Sequence, residues 1–202
     1  MDCFVFYEED TASFNTFNLL LEEKERLLLK KYVSQDPNIK ELYKNDKITI
    51  INSNKELIHS EYLDNLSFEN IFFISKHISS AKITSFTTHS TGNWLSLSEY
   101  GGKPASLSVS APSSMLSFLH SINSSRVKTI DSLVTYEATH HGPLLKTPSL
   151  FLEFGGSESA INNLQNAEIM KEIILSNLDY KISYKKIVFG IGSGHLYLTV
   201  KL

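Results

Sequence analysis

Apolar and polar positions follow two different periods along the 202-residue chain. Residues 3–7 form an unbroken apolar and aromatic run, the pattern of a strand buried on both faces. After Asp10 and Ser13 the period lengthens. Phe14, Phe17, Leu21, Leu28 and Tyr32 recur at helical spacing and predict a helix that ends before Pro37. Glu22, Glu23, Lys24, Arg26, Lys30 and Lys31 mix signs and read as its solvated face. Residues 47–51, 71–74 and 83–88 are bounded by polar residues and predict strands. Ser113 and Ser114 after Pro112 open a predicted helix over 115–122. Two further strands, 133–138 and 150–154, break at Thr139-His140-His141-Gly142-Pro143 and at Gly155-Gly156. One long helix is expected from about Ser157, with Ala160, Leu164, Ala167, Met170, Ile174 and Leu178 on one face. A last strand over 187–191 runs into Gly190-Ile-Gly-Ser-Gly194-His195. Strands alternating with helices predict an α/β fold, a single layered domain over 1–202 with a mixed sheet flanked by helices.

Composition narrows the class. With 42% hydrophobic and 20% charged residues, disordered, collagenous and coiled-coil chains are excluded. No apolar run approaches the roughly 20 residues that cross a bilayer. The first ten residues turn acidic and lack a basic leader region, so a soluble cytoplasmic protein is expected. The single cysteine, Cys3, excludes an intramolecular disulfide and a cysteine-rich zinc site. Any metal must therefore be held by imidazole and carboxylate. The net charge of −3 argues against a nucleic-acid partner until it is mapped. Residues 1–80 carry 14 acids and 9 bases, while residues 81–202 carry 8 acids and 10 bases. Five of the seven histidines lie in that mildly basic remainder.

The chemistry-bearing segments each follow a predicted strand, and open α/β sheets gather ligands at strand carboxyl ends. Glu137-Ala-Thr-His140-His141 is the densest cluster. On a strand, Glu137 and His141 share a face and His140 points away, but past the strand end both imidazoles can reach one site. Paired imidazoles beside a carboxylate suit metal ligation or proton transfer, and helix-cap or turn histidines are the plainer alternative. Glu153, expected on a neighbouring strand, is a candidate ligand, orienting group or base. Thr88-His89-Ser90-Thr91-Gly92-Asn93-Trp94 sets an imidazole beside the only tryptophan, which either stacks on a base or sugar or anchors the loop to the core. Gly190–His195 matches neither dinucleotide nor P-loop patterns, and suits close approach of backbone amides to an oxygen. His59 and His120 read as structural and His77 as a weak candidate. Lys181, Lys185 and Lys186 are either phosphate contacts or a solvated face.

Together with Asp10-Thr-Ala-Ser13, Ser75-Lys76-His77, Gly101-Gly102 and Thr147-Pro-Ser-Leu-Phe-Leu-Glu153-Phe-Gly155, these stretches occur in one order along the chain. In that order the chain resembles the D-aminoacyl-tRNA deacylases of the archaeal and plant type. The Thr-His-His-Gly-Pro segment followed by Pro-Ser-Leu-Phe-Leu-Glu carries most of the likeness. The resemblance implies hydrolysis of the ester joining a D-amino acid to the terminal ribose of tRNA. It also implies a fold related to phosphorylases and peptidyl-tRNA hydrolases, with zinc as cofactor. On that reading His89, His140 and His141 are the metal-side groups. Glu137, His140, His141, Glu153 and His195 form the catalytic set. His89, Thr91, Gly92, Asn93, Trp94, Gly192 and Gly194 bind substrate. The expected partner is D-aminoacyl-tRNA, met by a monomer without membrane contact. The chain departs from the family pattern after His195, where Leu196 stands in place of Tyr and seven residues complete the sequence. An incomplete carboxyl end is therefore expected. Three alternatives follow: a metal-free mechanism, an inert relative that binds tRNA ends or a protein partner, and a hydrolase of small esters.

Overall fold

A computed structural model describes residues 1–124, 132–178, 187 and 190. The chain begins with β1 (Asp2–Tyr7), α1 (Thr11–Glu22), β2 (Lys30–Tyr32), β3 (Ile39–Lys44) and β4 (Ile48–Ser53). Two 3₁₀ turns, Leu57–His59 and Glu61–Asn65, lead to β5 (Ile71–Ile78), β6 (Ser85–His89), β7 (Gly92–Asn93) and β8 (Ser106–Leu107). Then come α2 (Pro112–Ser124), β9 (Leu133–Tyr136), β10 (Ser149–Gly156), α3 (Glu158–Ile161) and α4 (Leu164–Asn177). Eight strands form one mixed sheet in the order β2-β3-β4-β1-β5-β10-β6-β9, and β7 pairs with β8 as a separate ribbon.

Strand β1 sits inside the sheet with β4 and β5 parallel on its two sides. Cys3, Phe4, Val5 and Phe6 are all buried, which is why the sequence there is continuously apolar rather than alternating. Alternation instead sorts the core into two layers. Phe4, Phe6, Ile50, Phe72, Leu152 and Phe154 point to the face covered by α1, α2 and α4. Cys3, Val5, Ile51, Phe73 and Phe151 point to the opposite face, where Leu57 and Leu63 of the 3₁₀ turns and Leu145 cover part of the sheet. The other part of that face carries the polar side chains described below.

Three expectations are corrected. The helix expected to run as far as Tyr32 and end before Pro37 stops at Glu22, and residues 30–32 become the edge strand β2. Asp10 caps α1 by accepting from Ser13 N at 3.1 Å. Its 12 residues span about 18 Å, close to the roughly 20 Å of a six-residue strand, so one helix of that length already crosses the sheet. Leu28, expected on the apolar face, adopts a left-handed φ of 54° and is 76% exposed. Strand β3 was not anticipated, because its burial alternates only loosely around an irregularity between Ile39 and Glu41. The helix expected from Ser157 is two helices: Asn163 restarts the chain by accepting from Gln165 N at 2.9 Å. The last predicted strand, 187–191, lies outside the described residues apart from positions 187 and 190.

Candidate functional site

Register brings the site together. His89 lies opposite Phe151, and Glu153 opposite Thr87, in the antiparallel pair β6–β10. Thr87 is level with Thr135 of β9, so Glu137, two residues on, keeps the same face. On the other side of β10, Gly155 is level with His77 of β5. Period-two alternation therefore delivers His77, His89, Glu137 and Glu153 to the face that holds Phe73 and Phe151. β6 and β10 are antiparallel, so the carboxyl ends of β5 and β10 point away from those of β6 and β9. The side chains meet over the sheet face rather than in the strand-end crevice expected from the sequence. Glu153 and Glu137 are also not on adjacent strands, since β6 runs between them.

Past the end of β9 the alternation lapses and both imidazoles turn to the same place. His141 adopts a left-handed φ of 44°. The His140 and His141 rings lie 4.4 Å apart, and His89 stacks on His140 at 4.1 Å. Phe151 lies parallel to His89 at 5.2 Å and edge-on to His141 at 4.8 Å, forming a floor under the cluster. Each of the three rings has Nδ1 against a backbone carbonyl. The partners are Ser90 O at 3.0 Å for His89, Ala138 O at 2.7 Å for His140 and Gly142 O at 2.7 Å for His141. A carbonyl only accepts, so Nδ1 carries the proton in all three, and in the neutral ring Nε2 carries the lone pair. His89 Nε2 is buried with no hydrogen-bond partner, 3.8 Å from Glu153 Oε1.

Behind the cluster sits a second set. His77 Nδ1 is 3.0 Å from Glu137 Oε1 and 3.5 Å from Glu153 Oε2. The remaining oxygens face the imidazoles, with Glu137 Oε2 4.0 Å from His140 Nε2. Burial alone would lower the His77 pKa, but hydrogen bonds donated to Glu137 and Glu153 push it up to about 10. Burial opposes ionisation of Glu153, yet His77 and His89 hold it well below the usual carboxylate range. Glu137 is likewise lowered against its burial, chiefly by His77. Burial, followed by repulsion from His89, pushes His141 down to about 4; burial, His89 and His141 push His140 down to about 3. Both are neutral imidazoles at pH 7. His89 is raised by Glu153 against its own burial.

The donor set fits a zinc ion. His89, His140 and His141 each offer a ring nitrogen within 4.8 Å of the others, and His77, Glu137 and Glu153 form a second such group. Nδ1–H bonded to a carbonyl, with Nε2 as donor, is how metal-binding histidines are oriented. The orphaned Nε2 of His89 costs free energy unless something with positive charge meets it.

The loop residues are tied to this cluster. Thr91 forms a bridge with His140 and bonds Ser108 Oγ at 2.8 Å while wholly buried. Gly92 N donates to His141 O at 2.7 Å. A Cβ at Gly92 would lie 2.8 Å from Leu107 Cα, so only glycine lets the ribbon close. Asn93 Nδ2 donates to Gly101 O and Lys103 O. Trp94 Nε1 donates to Thr139 O at 3.0 Å while its ring stays 53% exposed, so it both anchors the loop and faces solvent. His77, a weak candidate by sequence, contacts both carboxylates of the site. The usable signal was parity: on a strand with Ile71 and Phe73 inward, residue 77 is inward too. Gly192, Gly194, His195 and Lys181, Lys185 and Lys186 lie outside the described residues. His59 and His120 are exposed and apart from the cluster. Among the described residues no helix is long and apolar enough to cross a membrane.

Fold and site together define an α/β protein carrying a histidine–carboxylate centre on the open face of a mixed sheet. Residues 64–200 match the family model described as D-aminoacyl-tRNA deacylase. The D-aminoacyl-tRNA deacylase of Pyrococcus abyssi is 42% identical over 163 residues, covering 76% of this chain and 59% of the relative. That of Pyrococcus horikoshii is 39% identical over 200 residues, covering 92% of this chain and 69% of the relative. The crystal structure of a conserved protein of unknown function superimposes with a TM-score of 0.79 at 28% identity, over 90% of this chain and 64% of that one. The chain belongs to the D-aminoacyl-tRNA deacylase family. It spans about three fifths of the Pyrococcus abyssi relative's length and about two thirds of the Pyrococcus horikoshii relative's.

Proposed function

We propose that this chain hydrolyses the ester between a D-amino acid and the 3′-terminal ribose of tRNA, acting as a cytoplasmic monomer and freeing mischarged tRNA. One observation carries the reading: three imidazoles with oriented Nδ1–H groups converge beside two buried carboxylates in a chain of this family. His89, His140 and His141 are the proposed zinc ligands. A zinc ion held there would supply Lewis-acid polarisation of the ester carbonyl and of water. The protein's own groups do the remainder. His77 keeps both glutamates ionised, so each is able to accept a proton from water. The His140 side chain is 32% exposed, against 3% for His77 and 0% for His89, and marks the side from which an ester enters. The exposed face of Trp94, fixed through Thr139 next to His140, suits stacking on the terminal base; such stacks contribute about 1–3 kcal/mol per base.

The test is hydrolysis of D-Tyr-tRNA and L-Tyr-tRNA before and after dialysis against a chelator, followed by zinc restoration. Cleavage of the D form that disappears with zinc and returns with it is expected. Turnover that persists without metal would remove zinc from the mechanism. If neither aminoacyl-tRNA is cleaved, the deacylase reading fails for this chain. Equal cleavage of a model ester lacking tRNA would overturn the nucleic-acid requirement.

A further inference from the structure

We propose that His77 is a positioning residue: it clamps Glu137 and Glu153 by their inner oxygens and so aims one outer oxygen of each at the imidazole cluster. The inference rests on the proposed zinc ligation by His89, His140 and His141. Its foundation is the way the four carboxylate oxygens are divided. Oε1 of Glu137 and Oε2 of Glu153 both face His77 Nδ1, at 3.0 and 3.5 Å. The two other oxygens face Nε2 of His140 and His89, at 4.0 and 3.8 Å. One imidazole thus touches both carboxylates, and each carboxylate then reaches a different histidine of the cluster.

The geometry separates this role from that of a ligand or a base. Nδ1 of His77 points at the carboxylates, and its side chain is only 3% exposed, against 32% for His140. Substrate arrives on the His140 side, with the glutamates lying between it and His77. Two buried carboxylates this close would otherwise repel, and one would protonate or swing away. An N–H donor held between them, facing one oxygen of each, opposes both outcomes. The upward shift of the His77 ring and the downward shifts of both glutamates agree with that arrangement.

The surrounding chain fixes His77 in turn. Asp10 caps α1 through Ser13 N and uses its other oxygen on Ser75 Oγ and Lys76 N, both at 3.0 Å. Gly155 has a φ of 152°, and a Cβ there would stand 2.3 Å from His77 O. Strand β10 therefore approaches β5 beside His77 more closely than a side chain allows. These features account for the family-like Asp10-Thr-Ala-Ser13 and Ser75-Lys76-His77 segments, neither of which reaches the imidazole cluster itself.

The experiment compares the unaltered chain with His77→Asn and His77→Leu. Asparagine keeps an N–H donor near the Nδ1 position, whereas leucine fills similar space with no donor. Zinc affinity is read by chelator competition on the protein alone, and kcat and KM for D-Tyr-tRNA are read separately. His77→Leu is expected to weaken zinc binding about 10-fold, the low end of the cost of losing a ligand's direct partner, because His77 acts on the ligands through the two carboxylates. It should lower kcat with KM within twofold, and His77→Asn should recover most of both losses. A folded His77→Leu with zinc affinity and kcat within twofold of the parent overturns the proposal. So does loss of one bound ion per chain in both variants, since His77 would then be a ligand. If His77→Leu does not fold, ¹⁵N-histidine spectra of the unaltered chain with ¹¹³Cd decide the matter. An uncoupled, protonated His77 Nδ1 supports the proposal, and ¹¹³Cd coupling to His77 refutes it. Absence of zinc or cadmium binding to the unaltered chain also overturns it. Metal affinity is measured without turnover, so a chain that binds zinc as expected but cleaves no ester refutes the deacylase reading alone.

Discussion

Replacing Phe151 with alanine tests whether the imidazole cluster has a floor. The ring is 1% exposed and stacks on Phe73 at 4.8 Å on one side. On the other it underlies His89 at 5.2 Å and His141 at 4.8 Å. Truncation costs about 3–5 kcal/mol in all, of which the lost aromatic pair accounts for about 0.5–1.5 kcal/mol. Phe73→Ala is the control: it empties the same layer and breaks the same pair but has no ring contact with the histidines. Urea titration followed by circular dichroism should give similar destabilisation for the two variants. Only Phe151→Ala should also weaken zinc binding in chelator competition, because His89 and His141 lose the surface that sets their tilt. If the folded variants bind zinc equally well, the cluster is positioned by its Nδ1–carbonyl bonds alone and the floor argument fails.

Removal of metal should expose a pH signature. For His77, a folded pKa of about 10 against an ordinary 6.5 gives stability that is complete below about 6.5 and lost as pH rises toward 10. Glu137 and Glu153 are lowered from 4.5, so their contribution is present above that value and lost as pH falls. Urea midpoints of the chelated chain should therefore rise with pH up to about 6.5, because His140 and His141, held at about 3 and about 4, take up protons there only on unfolding, and should fall from about 6.5 toward 10 as the His77 contribution is lost; His77→Asn should flatten that alkaline limb, and a flat parent profile from 6.5 to 10 would refute the pairing. Gly155→Ala places a Cβ 2.3 Å from His77 O at a φ of 152°. Backbone strain of about 1–3 kcal/mol should appear as a lower melting temperature. Metal affinity should fall with it, since the displaced carbonyl is that of His77; an unchanged melt would show that the strands separate there without cost.

Much of the fold was legible because its signals are local. The apolar run at 3–7 and the polar boundaries of the later strands marked real elements. The Asn, Ser and Asp caps are likewise visible in sequence, but the Asn163 cap falls inside a continuous helical period that hides the break between α3 and α4. The overlong first helix shows where local reading stops. Leu28 and Tyr32 keep helical spacing, but one crossing of the sheet needs only the 12 residues of α1, and the next segment is claimed by the sheet edge. At the site, Glu137, His140 and His141 declared themselves by density. His77 did not, because nothing near it in sequence has the chemistry that completes it.

Residue types and their spacing alone determined the donor inventory: one cysteine, seven imidazoles with carboxylates near several of them, and motifs specific enough to indicate a family. Which of them meet was decided by strand order and direction. His77 and Glu137 are sixty positions apart in sequence, yet their side chains touch across β10 and β6. Alternation tells each residue which face it takes, but only pairing, set by burial of Phe73, Phe151 and their neighbours, says what stands opposite. The charge state follows from the same cause, since an imidazole held near pKa 10 and one pushed to about 3 differ in surroundings, not in sequence.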